Sequence, residues 1–237
     1  MTPPTTTKGA LRVIGVDEAG RGPILGPMAL AAVAVDEAGV RALVHLGVQD
    51  SKRFGAGERA KLRRAELADA IEKLAVESRC VLVTVTEIDR RTLRGELNHL
   101  EREVAAKLLD AVDACDDDRI ICDGARLFAP LCRHYPQLQA VDRGESAHVS
   151  VAAASILAKH ARDQAFAAIA ARYEPEFGEL RGGGYINGPT RRFLAEYQAR
   201  YDDLPPEARR SWGAPKPPRA NAKNKPTAKR SKQLSLS

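Results

Sequence analysis

An α/β fold is what this sequence predicts, on three observations. Short runs rich in β-branched residues recur along the chain, segments with apolar residues at helical spacing separate them, and the composition is 44% apolar over 237 residues. A chain of that length and composition buries a substantial core, most simply as one main domain with an appendage.

The elements follow in order. Residues 1–10, rich in Thr and Pro, read as a disordered lead-in. Arg12 to Asp17 is a β-branched strand, a glycine-rich turn spans Gly20 to Gly26, and Met28 to Val35 is a second apolar run, so the pair reads as a hairpin with both strands buried. Glu58 to Glu77 carries Leu62, Leu67, Ile71 and Leu74 at helical spacing, and Cys80 to Val85 returns to a strand. Glu96 to Val112 is a helix with Leu97, Leu100, Val104, Leu108 and Val112 on one stripe. Arg119 to Cys122 and Leu138 to Val141 are strands. The alanine-rich run from Val149 to Arg172 has no breaker and reads as a long, closely packed helix. After Gly182-Gly183-Gly184, helices are expected from Pro189 to Arg200 and from Pro205 to Arg210, each opened by proline. The Pro/Lys/Ala/Ser composition beyond Trp212 is too polar to bury a core and reads as disordered.

Composition also limits function. The apolar stretch from Ile24 to Val35 is interrupted by Gly26 and Pro27 and is too short to span a bilayer, and the first ten residues lack a secretory apolar segment. Cys80, Cys115, Cys122 and Cys132 have neither zinc-site spacing nor disulfide-scaffold density, and are expected to be reduced, mostly buried, and in the cytoplasm. The net charge of +6 is concentrated in the tail, where Lys216, Arg219, Lys223, Lys225, Lys229, Arg230 and Lys232 face no acid. Removing those seven from the 37 basic residues leaves 30 against 31 acidic ones, so the body is nearly neutral. The tail reads either as salt-sensitive attraction for nucleic acid or as a solubilising end.

One expected strand leads into Asp17-Glu18 and another ends at Asp123. If the strands are neighbours, three carboxylates converge, and an oxygen-preferring divalent cation such as Mg²⁺ or Mn²⁺ would relieve their repulsion. The same acids can equally be turn residues at strand ends.

Asp17-Glu18-Ala19-Gly20-Arg21-Gly22-Pro23 resembles the signature of the ribonuclease HII family. The resemblance continues through Asp50-Ser51-Lys52, Glu87-Ile88-Asp89, Leu97-Asn98-His99-Leu100-Glu101 and Asp123-Gly124. Further on it takes in the run from Ser150 to Lys159 with Arg162-Asp163, then Gly184-Tyr185 and Arg210-Ser211-Trp212. The end of the body, Gly188 to Leu194 with Leu204-Pro205-Pro206, is more similar to the archaeal and eukaryotic branch than to the bacterial one.

The resemblance implies a ribonuclease H-like mixed sheet flanked by helices, with a helical C-terminal extension. On that frame residues 11–180 are expected to be catalytic, 181–213 the substrate-binding extension and 214–237 a basic tail. It implies metal-dependent hydrolysis on the 5′ side of ribonucleotides in RNA–DNA hybrids and in duplex DNA, giving 3′-hydroxyl and 5′-phosphate ends. Asp17, Glu18 and Asp123 would hold the metals, two ions of Mg²⁺ or Mn²⁺. The fourth family position is an aspartate; here it is Glu145, whose extra methylene moves the carboxylate by roughly 1.5 Å, with Asp142 as the alternative. Gly20, Arg21 and Gly22 would read the 2′-hydroxyl that DNA lacks, Arg21 neutralising a phosphate, and Tyr185 would pack on the next, deoxy, sugar. Ser51, Lys52, Ser155, Lys159 and Arg191 are candidate substrate contacts. Lys159 and Asp163, at helical spacing, can alternatively form a salt bridge. The terminal Gln233 to Ser237 lacks the aromatic pair of a sliding-clamp peptide, so no clamp binding is expected, and the chain is expected to act as a monomer.

Overall fold

Strand β1 (Val13–Ala19) pairs antiparallel with strand β2 (Met28–Val35), from Val13 opposite Val35 to Ala19 opposite Ala29, as the hairpin pattern predicts. This pair sits inside a five-stranded sheet in a computed structural model that describes residues 11–48, 55 and 57–212. The lead-in, Asp50-Ser51-Lys52 and the basic tail lie outside the described residues. The sheet order is β3-β2-β1-β4-β5, with β3 (Glu77–Val83) antiparallel to β2, and β4 (Arg119–Asp123) and β5 (Leu138–Val141) parallel to their neighbours. The sheet is therefore mixed, as expected.

All eight residues of β2 are buried because helices cover both faces. Alternation sorts the side chains. Ile14, Val16, Ile120 and Cys122 face one core, shared with Leu100, Val104 and Leu108 of α4 (Leu97–Ala111). Ala29, Ala31, Val33 and Val35 face the other, shared with α1 (Glu37–His45), α2 (Glu58–Leu74) and α7 (Val149–Phe177). The alanines of α7 let it lie close on β1. A third core of Ile24, Leu25, Phe166, Phe177 and Phe193 docks α8 (Gly188–Tyr201) against the far half of α7.

Several expectations need correction. Helix α1 begins where the sequence suggested only a strand end: Asp36 accepts a 2.8 Å bond from the Gly39 amide and caps it. Helix α3 (Val85–Thr92), capped by Thr84, begins at Val85, the last residue assigned to a strand, and β3 starts and ends earlier than predicted. Leu62 is 65% exposed and does not join the core. Helix α7 continues to Phe177 with Pro175 in its last turn. The expected helix from Pro205 to Arg210 does not form. Leu25 pairs with Ala208 as an isolated bridge, and one short 3₁₀ turn follows at Arg210–Trp212. Asp89 of α3 fixes that turn by accepting from the Arg210 and Ser211 amides at 2.8 and 3.0 Å and from the Ser211 hydroxyl. All four cysteines are free, but Cys80 and Cys115 are exposed and only Cys122 is fully buried. Among the described residues no helix is long and apolar enough to cross a membrane.

Candidate active site

Val16 of β1 pairs with Cys122 of β4, so the next residues, Asp17 and Asp123, sit side by side on the face opposite Val16. The helical turn α6 (Gly144–Ala147) brings Glu145 to the same place. One ligand oxygen from each of Asp17, Asp123 and Glu145 lies within 4.8 Å of the others, a spacing and an all-oxygen donor set that could hold a divalent cation. Glu145 therefore joins the carboxylate group, and Asp142 does not: its side chain accepts from the Ala125 amide at 2.9 Å at the start of α5 (Ala125–Phe128).

The electrostatics match that geometry. Asp17 is 5% exposed, and burial, then the charges of Glu18 and Asp123, push its carboxyl up to about 8, against the pull of Ser155 and the Glu18 amide. The Ser155 hydroxyl lies between two carboxylates, reaching Glu145 Oε2 at 3.3 Å and bonding Asp17. Being fully buried, Ser155 supports the acids and has no surface for a substrate, which corrects its expected role.

Glu18 sits between Asp17, whose side chain it meets, and Glu101. Burial raises its carboxyl pKa, as does the charge of Glu101, which is fully buried on α4. Between the two acids lies Arg21. Its Nη1 is 2.7 Å from Glu101 Oε1 and donates to Oε2 at 2.8 Å, while Nη2 donates to Asn98 at 2.6 Å. The Arg21 guanidinium is thus held in place by Glu101 and Asn98 while keeping 40% of its side chain exposed at the cavity. Glu101 and Asn98 stood in the matching motif, but with no partner visible they carried no assignable role.

A cavity of about 390 Å³ opens beside these acids, lined by Glu18, Gly20, Arg21, Gly22, Lys159 and Tyr185 among others. Tyr185 is 53% exposed and rests against Gly22, where a Cβ would lie 3.2 Å from the Tyr185 ring. Gly182, Gly183 and Gly184 all adopt positive φ, a run that side chains would strain, and this tight turn delivers the tyrosine. Asn187 then caps α8, accepting from the Thr190 amide at 2.8 Å.

Lys159 approaches Glu145 at 3.7 Å and keeps 40% of its side chain exposed to the cavity. The helical pair with Asp163 does not form, because Arg64 of α2 donates to Asp163 at 2.6 and 2.9 Å. Arg191 is exposed on α8 and lies outside the cavity lining. Ser51 and Lys52 lie outside the described residues. Arg64 and Arg162 line the cavity without having been anticipated, and Arg209 lies buried behind the Gly20–Gly22 turn, bonded to its carbonyls. Arg162 was part of a matching motif, whereas Arg209 had no local signal.

A family model described as Ribonuclease HII matches residues 14–214. A Ribonuclease HII of Thermococcus sibiricus is 36% identical over 211 residues, covering 85% of this chain and 88% of the relative. The ribonuclease H2 structure from Pyrococcus horikoshii OT3 superposes with a TM-score of 0.70 at 31% identity, covering 85% of this chain and 94% of that one. The RNase HII of Archaeoglobus fulgidus, solved in complex with PCNA, gives 0.69 at 27%, covering 87% and 97%. Bst-RNase HIII in complex with Mn²⁺ gives 0.57 at 26%, covering 81% and 71%.

Proposed function

The chain belongs to the ribonuclease HII family and is a phosphodiester hydrolase of that type, and we propose that it cuts on the 5′ side of ribonucleotides. Its substrates on this reading are RNA–DNA hybrids and duplex DNA holding single ribonucleotides, and the ends produced are a 3′-hydroxyl and a 5′-phosphate. Its role is removal of ribonucleotides from DNA in the cytoplasm.

The observation that carries the reading is the convergence of Asp17, Asp123 and Glu145 beside a cavity that also holds the Gly20–Gly22 turn and Tyr185. The three acids, with Glu18 next to them, would hold two ions of Mg²⁺ or Mn²⁺. When bound, such ions activate water and stabilise the leaving oxygen. The protein's own groups do the rest. Ser155 keeps Asp17 and Glu145 oriented, and Lys159 offers its ammonium to a phosphate entering the cavity. The backbone of Gly20 to Gly22 reads the 2′-hydroxyl, with the Arg21 side chain serving as an anchor through Glu101 and Asn98. Tyr185 packs on the following deoxyribose, where a 2′-hydroxyl would crowd its ring.

We read residues 11–180 as the catalytic unit and 181–213 as the extension that supplies Tyr185. Ser51 and Lys52 remain proposed contacts by family resemblance, and Arg191 fits a phosphate farther along the duplex. The tail adds charge attraction to the same ligand. The expected absence of clamp binding was read from residues 233–237, which lie outside the described residues, and the structurally similar RNase HII of Archaeoglobus fulgidus was solved in complex with PCNA.

The test is direct. Protein with Mg²⁺ or Mn²⁺ should nick a duplex holding one ribonucleotide, and Asp17→Asn should lower the rate by about 10³-fold or more, about 4 kcal/mol. Unimpaired nicking by that variant would overturn the assignment. A binding protein with lost catalysis is the weaker reading, because Glu145 reaches the carboxylate group despite its extra methylene. That methylene has its own consequence. Mg²⁺ demands near-ideal geometry, so Mn²⁺ should support the parent better and Glu145→Asp should shift the Mn²⁺/Mg²⁺ rate ratio toward Mg²⁺ severalfold. An unchanged ratio would count against it.

A further inference from the structure

Two buried arginines stand behind the Gly20–Gly22 turn, and among the described residues neither is hydrogen-bonded to a carboxylate. Arg209 is fully buried and spends its guanidinium on three carbonyls: Nη2 donates to Gly20 at 2.6 Å, Nη1 to Arg21 at 2.8 Å and Nε to Gly26 at 3.0 Å. Its Cζ lies over the Trp212 ring, 5.0 Å from the ring centre. Arg162 is 5% exposed, and its Nη2 donates to the carbonyls of Leu25 and Gly183. Its Nε and Nη1 are buried without a hydrogen-bond partner. Gly20 covers them, since a Cβ there would fall 2.7 Å from Arg162 Nε. Burial, and then the charge of Arg162, pulls the Arg209 pKa down to about 10.

Burying two like charges this close is costly, and an aliphatic side chain would fill the same space without that cost. What an aliphatic side chain cannot do is hold five carbonyls at set directions. A trans peptide carries its N–H opposite its C=O. Drawing the Gly20 and Arg21 carbonyls back onto Arg209 therefore turns the Arg21 and Gly22 amides the other way, away from the guanidinium. Arg162 ties this segment to Gly183, in the turn that delivers Tyr185, and backbone bonds from Ile24 and Leu25 to the Gly184 carbonyl at 2.9 and 3.2 Å reinforce the tie.

We propose that Arg209 and Arg162 are positioning residues for sugar discrimination: together they set the direction of the Gly20–Gly22 amides and their spacing from Tyr185. The inference rests on the reading above, in which that turn and Tyr185 recognise a ribose followed by a deoxyribose. It extends the recognition apparatus to a residue of the C-terminal segment that touches no substrate.

The experiment compares kcat/KM on a duplex with a ribonucleotide followed by deoxyribonucleotide against one whose cut strand is RNA throughout, for the parent, Arg209→Lys and Arg162→Lys. Mn²⁺ affinity and thermal unfolding are measured on the same preparations. The expected result is that each variant lowers the junction-to-RNA ratio at least fivefold while Mn²⁺ affinity stays within about twofold. In a Tyr185→Ala background the arginine changes should leave the ratio unaltered, as expected when two residues act through one contact. Folded variants that keep the parent's ratio would overturn the inference alone. Equal loss on both substrates together with lost Mn²⁺ affinity would also overturn it, as a merely structural effect. Should Arg209→Lys fail to fold, Arg162→Lys decides by the same criteria. A parent with no preference between the substrates would instead sink the reading of the turn and tyrosine, and this inference with it.

Discussion

Asp17 is buried among like charges. Its carboxyl titrates near 8 in the metal-free protein, raised first by burial and then by Glu18 and Asp123, against about 3.9 in an unfolded chain. Between those values the native state binds a proton that the unfolded state has released, so stability falls as pH rises from about 4 to about 8. Metal-free protein should therefore lose melting temperature across that window, and Asp17→Asn should flatten the loss. A divalent ion must displace the same proton, so Mn²⁺ affinity should climb by up to about tenfold per pH unit until pH 8. Calorimetric titration with Mn²⁺ and melting curves at several pH values check both; a pH-independent affinity would contradict the raised pKa. The adjacent acids and the Gly-Arg-Gly turn were legible in the sequence, being contiguous. Glu101 was not, because its significance is a contact with Arg21 from 80 residues away.

Elements show where local patterns suffice. The β1–β2 hairpin, α4, β4 and β5 follow the sequence reading closely, because each is specified by its own apolar periodicity. Helices α1 and α3 escaped it, as Asp36 and Thr84 serve as caps in stretches that also read as strand ends. The packing of α7 on β1 depends on Gly15. A Cβ there would fall 2.1 Å from the Ser150 carbonyl carbon, on rigid backbone at the start of α7. Gly15→Ala should force the helix off the strand at a cost of about 3 kcal/mol, lowering the melting temperature by about 6–12 °C. Because α6 and α7 carry Glu145, Ser155 and Lys159, Mn²⁺ affinity should fall with it. Scanning fluorimetry and metal titration test this, and a melting temperature within 2 °C of the parent would show that the helix yields without cost.

Across the whole molecule, the site is assembled from segments remote in sequence. The parallel pairing of β1 with β4 sets Asp17 beside Asp123, α6 adds Glu145, and the returning C-terminal segment places Arg209 under Gly20, 189 residues earlier. The aromatic stack of Tyr173, Phe177, Phe193 and Tyr197 holds α8 on α7 and so anchors the extension that carries Tyr185.

What the sequence by itself determined is the α/β alternation, the family signature, and the acids available for a metal, because contiguous motifs and periodic burial are local properties of a chain. Only the tertiary structure decided which acids meet. It brought Glu145 rather than Asp142 to Asp17 and Asp123, bonded Arg21 to Glu101, buried Ser155, and set Arg209 on the carbonyls of Gly20, Arg21 and Gly26. Those outcomes depend on strand register and helix placement, which the folded chain settles by burying apolar faces from distant segments together, and which no single segment encodes.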